Sequence, residues 1–317
     1  EFCTALGLDK GIYVGAKSKL TDRSRAGHRR SHDLYREGLK QLATIDPAKL
    51  SGMDLVNYET FHGPWQTFVK AYDTFSYGLH SWPEPHPVTQ LSGIYRSIPD
   101  FLTNQHSIAN AADAEAYLAR CTAFSAQLDN ETGRIKADHA AGVISPDFVI
   151  DRTLEIYAKV AAPAPEANIL VTNLTRKTRE IPGDWTARCT KIVSGEIYPA
   201  MQRQIAELRR VRPRATHDAG VWRLPQGADY YAYALRYATT TAMTPQEVHQ
   251  LGLEKMADLT ARADAILRTQ GMTQGSVAQR LRAMGKDPRF IYPNTDAGKA
   301  KLIAELNAQV VQMQRRL

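Results

Sequence analysis

Apolar residues recur at spacings of three and four along most of this chain, a period that commits it to helices each burying one face. After Asn110 as a cap, Tyr117, Cys121, Phe124, Leu128, Thr132 and Ile135 form one such stripe, predicting a long amphipathic helix. Leu55, Tyr58, Trp65, Phe68, Val69 and Tyr72 form another behind Ser51, where SGMD has the Ser-x-x-Asp form of a capping box and Pro64 predicts a kink. Ser145-Pro146 reads as an N-cap with proline at the first helical position, ahead of Val149, Thr153, Ile156 and Val160. Asp184 precedes Trp185, Cys189, Ile192, Ile197, Met201, Ile205 and Leu208, with a kink expected at Pro199. Thr244-Pro245-Gln246-Glu247 joins a Thr cap, a first-turn proline and a Glu three residues on, the clearest helix start in the chain. A shorter helix is expected from Ser276 to Gly285, and another from Thr295. β-Branched residues cluster only near 169–171 and 237–241, so the predicted fold class is all-α with at most minor strands.

The 317 residues suit two domains or one large one. AAPAPE at 161–166 is the expected hinge, dividing a helical region over 1–160 from a second over 161–317. The aperiodic stretch 210–229, with two Pro and two Gly, reads as a substantial loop. With 43% hydrophobic and 23% charged residues, the composition excludes a disordered or low-complexity chain. No apolar run approaches the roughly 18 residues of a membrane span. Cys3, Cys121 and Cys189 are too few and too scattered for a disulfide framework or a zinc knuckle, and read as buried or idle thiols. The first residues carry no basic or apolar targeting segment. Leu302, Ile303, Leu306, Val310 and Met313 run to the last residues without a Gly or Pro stop, the pattern expected of a fragment.

A net charge of +7 admits an anionic partner. The basic residues concentrate in two short stretches, 23–30 and 209–214, and interleave with acids elsewhere. No basic-aromatic sheet signature accompanies them, so nucleic acid is not an expected partner. Binding of another anionic polymer through those stretches would fall steeply with salt; the plainer reading is two solvated helix ends.

No His-Glu-x-x-His, Gly-x-Ser-x-Gly, P-loop or dinucleotide glycine motif occurs. His28 and His32 are one helical turn apart, but the surrounding arginines oppose metal binding, and the pair reads as a solvated helix face. His80-Ser81-Trp82-Pro83-Glu84-Pro85-His86 offers two His and a carboxylate; a stiff turn between helices explains it more simply than a metal. Residues 220–256 place Tyr230, Tyr231, Tyr233 and Tyr237 beside Arg236 and His249. Phenols and guanidinium groups can position a peptide or carboxylate, and half-buried helix tyrosines with outward hydroxyls account for the same pattern.

That segment, from the Leu-Pro-x-Gly turn through Tyr-Tyr and Thr-Thr to Thr-Pro-x-Glu-x-His-x-Leu-Gly, resembles the bacterial family called domain of unknown function 885. The resemblance extends through FCTALGLDKG, LSGMDLVNYETF, IPDFLTNQHSIANAADAEAYLARCTAF and AGVISPDFVIDR. It implies the N-terminal helical half of a zincin-like metallopeptidase fold, secreted or lipid-anchored in the periplasm or envelope. The family's metal segment, of His-Glu-x-x-x-Gly-His-His style, would lie further toward the C-terminus. The implied activity is therefore a zinc-dependent peptidase or amide hydrolase of the full-length parent. This chain would bind no metal and be inactive alone, its partners being the missing C-terminal half and a peptide or amide substrate. Tyr230, Tyr231, Arg236 and His249 are the candidate substrate-binding residues, with at least one of Tyr231 and His249 expected to face the cleft. The competing expectation is a non-catalytic helical binding or scaffold protein of the envelope.

Overall fold

A computed structural model describes residues 1–78 and 82–316 of the chain. Its α-helices are, in order, α1 (Phe2–Ala5), α2 (Arg25–Leu42), α3 (Gly52–Thr74), α4 (Ile94–Asn104), α5 (Ala111–Ala140), α6 (Asp147–Ala161) and α7 (Ile169–Lys177). They continue with α8 (Trp185–Ile192), α9 (Tyr198–Val211), α10 (Gly227–Thr239), α11 (Pro245–Thr269), α12 (Val277–Met284) and α13 (Asp296–Gln314). Among the described residues there is no strand, only an isolated bridge at Glu84. The chain forms two compact units, Glu1–Ala242 and Met243–Leu317.

In the first unit, α5 is the spine. Asn110 caps it, accepting from the Asp113 amide at 3.0 Å, and Tyr117, Cys121, Phe124, Leu128 and Ile135 enter one core with residues from Val88 to Val211. That core spans both sides of residues 161–166, so the helices before and after the Pro-rich stretch share it. Cys121 and Cys189 sit in it side by side as fully buried thiols; a hydrogen bond with Cys189, then burial, pushes the Cys121 thiol up. A second cluster gathers Ala71, Phe75, Tyr77, Val143, Leu224 and Tyr230.

Several local expectations change. Residues 169–171 begin α7, because the Asn168 side chain caps the Leu170 amide at 2.9 Å and Leu170, Val171 and Leu174 bury on one helical face. Residues 237–239 are the last turn of α10, which ends at the left-handed Thr240. Ser51 precedes α3 without a side-chain cap, and Pro146, not Ser145, is the N-cap of α6. At Pro199 the helix does not simply bend. α8 passes through a π turn over Val193–Ile197 into α9, because proline gives no N–H to the carbonyl four residues back and a wider turn absorbs the mismatch. His32, expected to be solvated, is buried against Tyr72 at 4.1 Å between ring centroids, with Nε2 3.2 Å from Asp73.

One side chain gathers several points of the N-terminal segment. Arg120 of α5 is fully buried. Its Nε donates to the Lys19 carbonyl at 3.0 Å, and its Nη2 to Thr4 Oγ1 and the Ala16 carbonyl at 2.7 and 3.0 Å. Its Nη1 donates to His106 Nδ1 at 2.7 Å, which leaves His106 Nε2 to donate to the Asp113 carbonyl at 3.1 Å. Burial lowers the His106 pKa to about 4 and keeps the ring a neutral acceptor.

The second unit holds α11 to α13. Thr244 and Glu247 form a complete capping box on α11, and Ser276 and Gln279 form another on α12. Arg280 is buried, bonding Asp264 and the Met272 carbonyl. Leu267 is its only large apolar side chain buried among the described residues, while Met256, Leu259, Ile266, Ile303, Leu306, Val310 and Met313 are exposed.

Arg120→Ala strands four acceptors, of which those on Thr4 and His106 are buried and cost ~1–3 kcal/mol each. The variant is expected to lose at least about 3 kcal/mol and to open residues 1–20 first. Thermal melts by circular dichroism with limited proteolysis check this; an unchanged melting temperature would contradict it.

Candidate functional site

The polar face of α5 is where chemistry-bearing groups converge. Gln127, Glu131, Arg134 and Asp138 follow at spacings of four, three and four, one turn above another, so they line one stripe. Around that stripe Thr21, Arg23, His28, Glu84, Pro87, Gly93, Ile94, Ser97, Glu131 and Arg134 enclose a cleft of about 340 Å3. α2 brings His28, the turn of residues 84–93 brings Glu84, and the first turn of α4 brings Ile94 and Ser97.

Each wall is fastened. The Arg23 amide donates to Gln127 Oε1 at 2.9 Å, and its guanidinium grips both oxygens of Glu1 at 2.7 and 2.6 Å. Arg134 donates through Nη1 to His28 Nε2 at 2.8 Å and through Nη2 to the Gly78 carbonyl. The Gly78 amide in turn hydrogen-bonds Asp138, so two side chains of α5 hold one peptide unit. A side chain at Gly78 would meet the Glu84 carbonyl at 2.8 Å, and φ of +71° suits only glycine comfortably.

Glu131 is the most perturbed acid. One oxygen accepts from the Ile94 amide at 3.2 Å and the other from the Gln204 amide at 3.1 Å, while Gln204 is bonded by the Tyr157 hydroxyl. Burial outweighs those hydrogen bonds and raises the Glu131 pKa to about 7. Burial likewise raises Glu84, and raises Asp138 to about 6 against the pull of Arg134. Burial lowers the Arg134 guanidinium, with Asp138 and Glu131 acting against that shift.

Next to this cleft, His86, Asp138, His139 and Ser145 line a cavity of about 10 Å3, room for a single water. His139 donates from Nδ1 to Glu207 at 2.6 Å, and Arg210 grips the same carboxylate. Burial takes His86 down to about 4, with Arg223 and His139 adding to it. Of the His80–His86 segment, His80 and Ser81 lie outside the described residues.

The tyrosine segment divides. Tyr230 is buried, stacked on Tyr77 at 5.3 Å between ring centroids, with its hydroxyl against Gly78 and its charge state coupled to Glu84 and Arg134. Burial raises it strongly, so it stands beside the cleft as a neutral phenol. Tyr233 and Tyr237 follow on the same face, with ring centroids 5.6 and 6.4 Å apart in sequence from Tyr230. Tyr231 points elsewhere and is 49% exposed. Arg236 on α10 and His249 on α11 are exposed as well. Of the three candidates in the first unit, the structure brings only Tyr230 to the polar cluster; His249 belongs to the second unit. Glu131, Arg134 and Asp138 have the composition of the solvated side of an amphipathic helix, and their spacing of three and four is the sequence signal that sets them on one stripe.

Of the basic stretches, Arg23, Arg30, Arg210 and Arg212 are each paired with an acid of the same chain. Among the described residues, no group of three or more His, Cys, Asp or Glu side chains is arranged to hold a metal, so the donor set does not fit a zinc ion. No helix among them is long and apolar enough to cross a membrane.

The family model described as "Bacterial protein of unknown function (DUF885)" matches residues 1–317, the whole chain. The chain belongs to the DUF885 family. No curated protein matches it. A solved structure described as "the putative lipoprotein from Colwellia psychrerythraea" has the same fold, with a TM-score of 0.85 at 21% identity. The match covers 99% of this DUF885 chain and 55% of that chain, so this chain spans little more than half the length of that relative.

Glu131 sets a pH dependence. The folded state keeps its proton between the ordinary 4.5 and about 7, so its contribution is fully present below 4.5 and is lost as pH rises through about 7. Asp138 adds a smaller change of the same sign. Glu131→Gln is expected to flatten the fall in melting temperature between about pH 5 and 8 and to gain stability at the upper end. An undiminished slope in the variant would show that Glu131 is not the titrating group.

Proposed function

We propose that this chain is the helical, cleft-forming part of a hydrolase of the bacterial envelope, acting on peptides or related amides. The observation that carries the reading is the cleft of about 340 Å3 on α5, lined by a half-buried guanidinium and two carboxylates inclined to hold protons, with a neutral phenol beside it. Such a set can donate to amide carbonyls, receive an end group and exclude water. On this reading the zinc suggested by the family resemblance is held by a part of the protein outside this chain. The exposed apolar stripe Ile303, Leu306, Val310 and Met313 supports a further segment packing on α13, and the extra length of the Colwellia relative supports the same view. That relative's description as a lipoprotein supports an envelope location. Tyr231, Arg236 and His249 are proposed as additional substrate contacts from their exposed helix surfaces. The alternative, a non-catalytic binding or scaffold protein, uses the same cleft and differs in having no turnover.

The test is an amide-hydrolysis assay on the longer polypeptide containing this chain. Chelator-sensitive cleavage of short peptides is expected, with this chain alone inactive. Arg134→Gln in the longer protein is expected to lower kcat/KM roughly 10- to 100-fold. Binding without cleavage, with or without added zinc, would favour the scaffold reading. Wild-type turnover in a Tyr231→Phe, His249→Ala double variant would remove those two residues from the site.

A further inference from the structure

The cleft has an electrostatic asymmetry that its protein partners leave unresolved. Its two guanidinium groups are not equivalent. Arg23 is neutralised by both oxygens of Glu1. Among the described residues Arg134 donates to neutral acceptors, the His28 ring and the Gly78 carbonyl, and has no carboxylate within salt-bridge distance. A guanidinium has five N–H donors, and two of Arg134's go to these acceptors. The rest belong to a half-buried cation that lines an open cleft. The three acids near it are poor substitutes for a partner: Asp138 accepts from the Gly78 amide, is raised by burial and lies beyond salt-bridge distance of Arg134. Both Glu131 oxygens are taken by the Ile94 and Gln204 amides, and Glu84 is inclined to keep its proton.

We propose that this cleft is a carboxylate receptor for short peptides, in which Arg134 takes the carboxylate and Ser97 and Thr21 line the path of the adjoining residue. A cation held by neutral acceptors in a low-dielectric wall gains most from an anion that can accept two parallel N–H bonds, and a carboxylate is the peptide group that does so. The volume admits an end group and a residue or two, at the small end of ligand pockets of roughly 300–1,000 Å3. The identity of the cleft's natural ligand rests on the hydrolase reading above; carboxylate binding itself does not, and it is measured on this chain without turnover.

The probes are N-acetyl-Ala-Ala, its C-terminal carboxamide, and N-acetyl-Glu amide, titrated by calorimetry into the 317-residue chain at neutral pH and low salt. At least one of the two acids is expected to bind tenfold or more tightly than the carboxamide. Tighter binding of the first acid assigns the site to a chain terminus, and of the second to an acidic side chain. Arg134→Gln is expected to erase the preference for the acid. Because Arg134 also fastens Gly78, a second variant leaves that contact intact: Ser97→Trp, at an exposed wall position, fills the cleft and is expected to abolish binding of the acid. Equal affinity for acid and carboxamide, no binding of any probe, or undiminished acid binding in folded Ser97→Trp would each overturn the proposal. If the receptor fails this test, hydrolysis by the longer protein is still measured by its own assay; if hydrolysis fails, the binding result stands.

Discussion

Two guanidinium groups on α5, one fully buried and one half-buried, fasten two segments of the first unit that lie outside its α-helices. Arg120 collects the carbonyls of Ala16 and Lys19 and the Thr4 hydroxyl; Arg134, four turns on, collects the Gly78 carbonyl and the His28 ring. Irregular backbone inside a protein needs donors for its carbonyls, and no neighbouring strand is there to supply them. Long, fixed, five-donor side chains serve that need from a rigid helix. The cost of desolvating them is set against several hydrogen bonds each, so removal of either leaves more unsatisfied acceptors than one lost pair would.

The same helix explains what could be read from the sequence. Its apolar stripe, its Asn110 cap and its length were legible, because periodic burial leaves a periodic pattern. Its second stripe was not. Gln127, Glu131, Arg134 and Asp138 have the composition of a solvent face, and the coverage by residues 75–78, by residues 84–93 and by α2 and α4 makes that face interior. The capping boxes at Thr244 and Ser276 were as legible as motifs can be, since each closes within four residues. The cluster at 169–171 misled because the Asn168 cap and burial of Leu170 and Val171 outweigh the weak helix propensity of β-branched residues, and that at 237–241 because its threonines fall at the frayed end of α10. Tyr230 was found for its residue type, yet its setting depends on Gly78, about 150 positions away along the chain, and local pattern holds no trace of such a neighbour.

The cleft and the second unit differ in how complete they are. Every wall of the cleft is fixed by hydrogen bonds within the first unit, which makes it preorganised for whatever it takes in. α11 and α13 by contrast are well capped but poorly buried, helices whose ends are specified and whose faces are not yet used. Capping fixes where a helix starts; burial is what makes it stable in a folded protein.

The π turn between α8 and α9 has a geometric consequence for the spine. One extra residue in a helix rotates everything after it by about 100° relative to what precedes it. Gln204, which reaches Glu131, and Glu207, which orients His139, both lie downstream of that turn, whereas Cys189, which meets Cys121, lies upstream. A single-residue deletion within Val193–Ile197 would leave one regular helix of nearly the same composition. It would also swing the downstream polar pair off α5 while the upstream thiol stayed in place, so the phase shift is what lets one helix serve a dry contact at one end and a charged one at the other.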